Sequence, residues 1–416
     1  MNNMDDTQRK CTTFDQIIEP IMNEVTTIEA NRTPHHRETL SYQLFVRLLV
    51  YYFLTPTESG RQLLTDAASA LPQLRLQQVS RSTFFDAFNR FPVEWFQRLL
   101  ATLLTTTQWA SIPELNILGK LYCIDGSIFP ALAKMAWATY KKNSQAVKLH
   151  LCFELNRMVA TCFLVEAGNS SERNALRQML EANVTYIADR GYVCFNLLAD
   201  IVTANAHFVM RMKSNLVYVT TQTLPVDLPN GVQQLFTSVT DQLVSLSNAD
   251  GKPVYRLVTF HVGQESYLIL TDRLTLTSFQ VILLYAYRWQ IELMFRFLKR
   301  SLTGLHFLST SHTGLTIQFY MLLVTALLQL RFKQLCVSLI ERSSPHEYSA
   351  PSTTDSLVAA MTDPDSQLSS RAQSFLATVG VKLQRYWKIS IHWLITLRNY
   401  LARPFDDAAI HALGHV

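Results

Sequence analysis

The sequence predicts an α/β protein: a mixed-sheet core interrupted by a β-rich insertion and flanked by helical N-terminal and C-terminal regions. Three observations predict it. Apolar residues recur at three-and-four spacing through the first 110 positions, strand-like runs begin at Leu121, and long apolar helical patterns return after Thr277. With 416 residues, 48% apolar and 17% charged, the composition excludes a disordered or low-complexity chain. That length allows two or three domains, each able to bury its own core.

Residues 1–115 read as a helical module, with helices over Phe14–Ile28, Leu40–Leu54 and Phe84–Leu104. Ser80-Arg81-Ser82-Thr83 is a helix start, because a serine or threonine hydroxyl can accept from the free N–H groups of the first turn. Short arginine-bearing helices suit DNA binding, and packed helices equally suit dimerisation. Residues 116–213 form the first part of the core. Strands are expected at Leu121–Ile128, Ala146–Leu155 and Met158–Glu166, the last two joined as a hairpin through Asn156-Arg157. Alternation follows: helix Ser171–Ala182, strand Val184–Ala188, a helix near Phe195–Ala204, strand Phe208–Met212. Residues 214–270, rich in Val, Thr, Tyr and Leu with turn signals at Pro229–Gly231 and Asn248–Pro253, read as an insertion set apart from the core. Residues 271–340 return to the core with one long helix, Thr277–Leu302, and an apolar helix, Leu315–Leu335. Residues 341–416 comprise an exposed linker, 343–370, and a helical tail, Arg371–His411.

The six cysteines are scattered with no C-x2-C pair, so neither a zinc ribbon nor a disulfide framework is indicated. The first 15 residues are polar, unlike a signal peptide, and the longest apolar runs, Val46–Leu54 and Phe319–Leu328, are too short to span a bilayer. A cytoplasmic protein with no membrane partner is the expectation. The net charge of +5 sits almost wholly in residues 271–416, which carry 14 basic against 9 acidic side chains. A polyanion would therefore be gripped by C-terminal elements.

Two aspartates stand at strand ends beside glycine: Asp125, followed by Gly126-Ser127, and Asp189, followed by Arg190-Gly191-Tyr192. A strand end holds a carboxylate rigidly, and glycine lets a bulky substrate approach. Two such acids can share a divalent metal pair if a third closes the site. Taken singly, each is more often a turn residue or helix cap. In the long helix, Tyr285, Arg288, Glu292 and Lys299 fall within a stripe roughly 60° wide at about 100° per residue, and Arg296 extends it. The plain reading is an i,i+4 pair of Arg288 with Glu292. Apolar flanks weaken that reading, since charge on a largely buried helix is costly unless it faces metal or phosphate. Trp289 reads as core rather than as a base-stacking residue, and Lys148 and His150 as structural neighbours of the site rather than ligands.

The string Tyr285-x2-Arg288-x3-Glu292-x6-Lys299 resembles the Y-R-E-K signature of bacterial insertion-sequence DDE transposases of the "insertion sequence four" type. Ile124-Asp125-Gly126-Ser127, Ala188-Asp189-Arg190-Gly191-Tyr192 and the strand Phe208–Lys213 supply the family's other blocks in order, over roughly residues 120–310. The resemblance implies an RNase H-like catalytic core in which Asp125, Asp189 and Glu292 are both the catalytic triad and the ligands of two Mg2+ ions, with Mn2+ able to substitute. It implies cut-and-paste transposition through a hairpin at the transposon end, with Tyr285 at the strand near the hairpin tip and Arg288, Lys299 and Arg296 on DNA phosphates. The implied partners are double-stranded DNA, as inverted-repeat ends and target, and a second copy in a DNA-induced homodimer in the bacterial cytoplasm at the nucleoid. The N-terminal module would read the transposon end through arginines such as Arg75, Arg81 and Arg90. The alternatives are an RNase H-fold nuclease or resolvase that only cuts, against which the Tyr/Arg/Lys stripe argues, and a DNA-binding remnant without catalysis, against which the intact triad argues.

Overall fold

A computed structural model of the chain describes residues 13–343 apart from 56–58, 70–73, 110, 143, 229–232, 234–235, 247–250, 263 and 303–306. The turn expected at Pro229–Gly231, part of that at Asn248–Pro253, and the linker and tail from residue 344 on lie outside the described residues. The described residues divide into two compact units, a helical one (13–109 and 297–343) and a sheet-bearing one (111–296).

The helical unit begins with α1 (Thr13–Ala30), α2 (Tyr42–Leu54), α3 (Gly60–Ser69), α4 (Arg81–Arg90) and α5 (Val93–Thr106). Nearly every residue of α2 is buried, Arg47 included. Arg47 is tolerated there because it pairs with Asp15 at 2.8 Å and donates to the Leu74 carbonyl at 2.7 Å. Ser80 caps α4 by accepting from the Thr83 N–H. The pattern expected to be one helix over Phe84–Leu104 is two, α4 and α5. Pro92 forces Phe91 into extended backbone (φ −89°, ψ 131°) and becomes the N-cap of the next helix. Around the break, Tyr42, Phe45, Phe84, Phe88, Phe91 and Phe96 pack largely edge to face.

The sheet unit opens with α6 (Pro113–Asn116) and then β1 (Lys120–Pro130), β2 (Thr139–Lys141), β3 (Ser144–Glu154) and β4 (Val159–Ala167). Helix α7 (Glu172–Gln178), β5 (Val184–Ala188), α8 (Phe195–Thr203) and β6 (His207–Arg211) follow. Strands β4, β3 and β1 are antiparallel neighbours, and β5 and β6 continue beside β1 in parallel. Three antiparallel strands extended by two parallel ones make the mixed sheet of the expected RNase H-like core. Even-numbered side chains of β1, β5 and β6 (Tyr122, Ile124, Tyr186, Ala188, Phe208, Met210) enter an apolar core with Leu176 of α7 and Leu197, Leu198 and Ile201 of α8.

The insertion contributes β7 (Tyr218–Leu224), β8 (Ser238–Leu246), β9 (Val254–Val262) and β10 (Glu265–Thr271). It does not stand apart from the core as expected. Strand β10 pairs antiparallel with β6, Ile269 opposite Arg211 and Thr271 opposite Val209, and β9, β8 and β7 follow in the same ten-stranded sheet. The physical reason is that β6 would otherwise leave a row of unpaired N–H and C=O groups at its edge. A buried network ties the insertion to the following helix, α9 (Ser278–Tyr287). Arg256 donates to Asp241 (2.5 and 2.9 Å), Ser278 Oγ donates to Asp241 at 2.6 Å, and the Leu276 carbonyl also accepts from Arg256.

Helix α9 starts with a reciprocal capping box between Thr277 and Gln280. The expected single helix over Thr277–Leu302 is broken at Arg288 into α9 and α10 (Trp289–Leu302). There the Arg288 N–H turns back to the Tyr285 carbonyl at 3.1 Å and the Ile291 N–H to the Arg288 carbonyl at 3.2 Å, three-residue bonds that tighten the turn. Helix α11 (His312–Ser343) closes the described chain. Over His312–Leu335 it is long and apolar enough to cross a membrane, longer than the run seen in the sequence. Most of it is instead buried in the helical unit, against α1, α2, α4 and α5. The described residues from Phe297 to Ser343 group with the N-terminal helices, because a helix apolar nearly all round must be covered by other helices.

Candidate active site

The β1–β5 register runs from Lys120 opposite Val184 to Cys123 opposite Ile187. Continued by two residues it sets Asp125 level with Asp189, on strands about 4.8 Å apart. Both carboxylates follow the odd-numbered face, away from the core under α7 and α8. The end of α9 meets this face, with Cys123 Sγ 3.8 Å from the Tyr287 carbonyl. Asp125 lies within β1, paired with Leu151 of β3, rather than at a strand end as expected, because β1 continues to Pro130; its Oδ1 accepts from the Gly126 N–H, and Asp189, just past β5, accepts on Oδ1 from the Arg190 N–H, each at 2.8 Å.

The break at Arg288 aims three side chains at this pair. Tyr285 donates its hydroxyl to Asp189 Oδ1 at 3.1 Å, and Arg288 Nη2 donates to Glu292 Oε1 at 2.7 Å. Burial pushes the Asp125 carboxyl up to about 6, the nearby carboxylates of Glu292 and Glu172 add to the rise, and the Gly126 N–H and Arg288 oppose it. Burial, reinforced by Asp189, pushes the Tyr285 phenol up to about 12. Burial alone would weaken the Arg288 charge, but Tyr285, Glu292 and Asp189 outweigh it and hold the guanidinium protonated. Arg288 is thus the cation among Asp125, Asp189 and Glu292.

Among the described residues no three His, Cys, Asp or Glu side chains converge closely enough to hold a metal ion. Asp189 is engaged by Tyr285 and Glu292 by Arg288. The donor set nevertheless fits a hard divalent cation: three carboxylates, of which Asp125 is raised first by burial and further by Glu292 and Glu172, a cost that a bound cation would relieve.

Arg296 and Lys299 lie exposed on α10 on the same side as Glu292, while Ile291, Leu293, Met294 and Phe295 are buried. Trp289, expected in the core, is 44% exposed, because the break rotates the start of α10 relative to the extrapolated helix. In the helical unit Arg75, Arg81 and Arg90 are all exposed, and Arg90 also donates to the Leu40 carbonyl at 2.6 Å and lies over the Phe91 ring.

Sequence reasoning missed Arg211, Tyr267 and Glu172. Strand pairing carries the row Asp125, Asp189 onward to Arg211, since Ala188 faces Met210 on β6. Arg211 lies 4.4 Å over the Tyr267 ring and reaches the Tyr285 hydroxyl. Tyr267 stacks on Phe260 (centroids 5.0 Å apart, planes 6° apart), which lies edge-on to Phe236. A basic residue level with the two acids was the available signal, visible only once the register is known. The two glycines do not open the site to substrate as expected. A Cβ on Gly126 would lie 3.1 Å from His150 Nδ1, and one on Gly191 2.6 Å from Glu172 Oε2. His150 lies on the face opposite Asp125, near Ser170 Oγ (3.1 Å) and Glu166 (3.2 Å), and burial, with Lys148, holds its imidazole down at about 4.

A sequence profile of the family described as "Transposase DDE domain" matches residues 118–328, more than half of the chain. A Sinorhizobium fredii chain named as transposase y4zB is 27% identical over 48% of this chain and 57% of its own length. The Geobacillus stearothermophilus "Probable transposase for insertion sequence element IS5377" is 22% identical over 62% of this chain and 68% of its own length. The first match thus spans little more than half of that relative. Among solved structures, the piggyBac transposase synaptic complex with hairpin DNA aligns with 91% of this chain and 88% of its own at 9% identity and a TM-score of 0.39. With the profile running from the start of β1 through the acid-bearing strands and helix into α11, the chain belongs to the DDE transposase family.

Proposed function

We propose that the chain carries out cut-and-paste transposition of an insertion sequence, with Asp125, Asp189 and Glu292 as the catalytic acids. The observation that carries the reading is the register-level pair Asp125 and Asp189, met on its own face by the helix break that bears Arg288 and Glu292. The three carboxylates would hold two Mg2+ ions, which Mn2+ could replace. When bound, such ions activate an attacking oxygen, from water or a DNA 3′-hydroxyl, and stabilise the leaving one.

The remaining residues act on DNA. Arg288 and Tyr285 lie against the acids and would bind the strand on either side of the scissile phosphate; Arg296 and Lys299 would hold phosphates further along α10. This follows the Y-R-E-K signature of the "insertion sequence four" type, in which a hairpin forms at the transposon end. The helical module would recognise that end, a DNA-induced homodimer would bring two ends together, and the protein would act in the bacterial cytoplasm on nucleoid DNA.

The test uses linear DNA carrying the inverted repeats that flank the coding sequence, with Mg2+. Asp125→Ala, Asp189→Ala and Glu292→Gln should each abolish nicking, hairpin formation and strand transfer while end binding persists. Tyr285→Ala should slow hairpin formation or opening more than nicking. Mg2+-dependent cleavage surviving any of the three acid substitutions would overturn the assignment.

A further inference from the structure

Glu172 opens α7, whose start is fixed by the Ser171 cap. Its carboxylate extends across to the turn that follows β5. There Oε2 takes the space over Gly191, where a side-chain carbon would come within 2.6 Å, closer than real carbon contacts allow. Oε1 lies 3.6 Å from Lys148 Nζ, and Lys148 is itself fixed by donating to the Ser170 carbonyl at 3.0 Å. The turn beneath is the one that carries Asp189. Its Arg190 N–H donates to Asp189 Oδ1, its Tyr192 N–H donates to the Asp189 carbonyl at 3.0 Å, and the Tyr192 ring is buried.

We propose that Glu172 is a positioning residue for Asp189: held by Lys148 from β3, its carboxylate braces the Asp189–Tyr192 turn through Gly191. The proposal rests on the reading of Asp189 as a catalytic acid. The glycine after Asp189-Arg190 is needed to admit a carboxylate from the protein's own helix, and the brace links the second acid to β3, the strand that pairs with the strand of the first. An exposed ion pair would contribute little, but this one is partly buried at Lys148 and is set against backbone. Misplacing a catalytic carboxylate by even a fraction of an ångström lowers turnover without weakening DNA binding elsewhere.

The experiment compares Glu172→Gln, Glu172→Ala, Gly191→Ala and the double variant Glu172→Ala/Gly191→Ala in the full chain. Because the atom facing Gly191 is the end of a flexible side chain, the added methyl displaces the carboxylate rather than the backbone, so Gly191→Ala should mimic Glu172→Ala. Hydrogen exchange without DNA or metal should speed roughly tenfold at the Arg190 and Tyr192 amides in both single alanine variants, with β5 unchanged. Cleavage of transposon-end DNA should lose roughly tenfold in kcat with KM unchanged, less in Glu172→Gln, and the double variant should be no worse than Glu172→Ala. Unchanged exchange at the turn, or losses that multiply in the double variant, overturns the proposal. Asp189→Ala separates the two readings. If it still cleaves, the catalytic assignment falls, and exchange at the turn still decides the brace; if it is inactive while the Glu172 variants match the wild type, only the brace falls.

Discussion

Replacing Asp125 by Asn should stabilise the DNA-free protein, and by an amount that depends on pH. Burial, helped by Glu292 and Glu172, moves the Asp125 carboxyl from 3.8 to about 6. At about 1.4 kcal/mol per tenfold change in proton affinity, ionising it in the folded state costs on the order of 3 kcal/mol. Because the folded value is the higher one, the corresponding stability is fully present below pH 3.8 and is lost as pH rises through about 6. Asn keeps an acceptor for the Gly126 N–H and carries no charge, so Asp125→Asn should gain up to about 3 kcal/mol at pH 8 and almost nothing at pH 3.5. For a unit of this size that is roughly 6–12 °C in Tm. Urea and thermal unfolding with EDTA at the two pH values measure it, and Mg2+ should narrow the gap by stabilising the wild type alone. A gain of equal size at both pH values, or a loss at pH 8, would refute the electrostatic account.

Three further outcomes follow from other parts of the fold. Asp241→Ala leaves the buried Arg256 guanidinium without its carboxylate, with only backbone carbonyls to accept from it, and should cost about 3–5 kcal/mol in urea unfolding. Trp289→Ala should leave Tm within about 2 °C because the ring is already 44% exposed, while transposon-end affinity falls by about 1–3 kcal/mol if the indole stacks on a base. Arg296→Ala and Lys299→Ala should each lower the slope of log affinity against log salt by about one, equally for specific and unrelated DNA, in a filter-binding titration.

What could be read from the sequence followed the strength of its local signals. Val184–Ala188 is found as expected because a short apolar run closed by Asp189 admits no competing period. The hairpin through Asn156-Arg157 and the Ser80 cap are likewise local. The helix break at Arg288 was not legible, since no Pro or Gly marks it. The tightening appears only where Tyr285 and Arg288 find Asp189 and Glu292, partners separated in sequence from the break or across it. Trp289 was misplaced for the same reason. Attachment of the insertion to β6 depends on an edge needing a partner, a non-local requirement that composition does not carry. Glu172 and Arg211 were invisible because strand register and helix position, not sequence neighbourhood, bring them to the acids.

The helical unit is assembled from two distant stretches of chain, and that has a consequence in time. Helices α1 to α5 end at residue 106, but α11, which covers them, is complete only at residue 343. At about 5–20 residues per second, a ribosome needs roughly 10–50 s to make the intervening chain. During that interval the sheet can form while the faces of the first helices that α11 covers stay bare. A transcript cut short before codon 312 would leave those faces permanently bare. Such a product would be a substrate for chaperones and proteases rather than a free end-binding fragment.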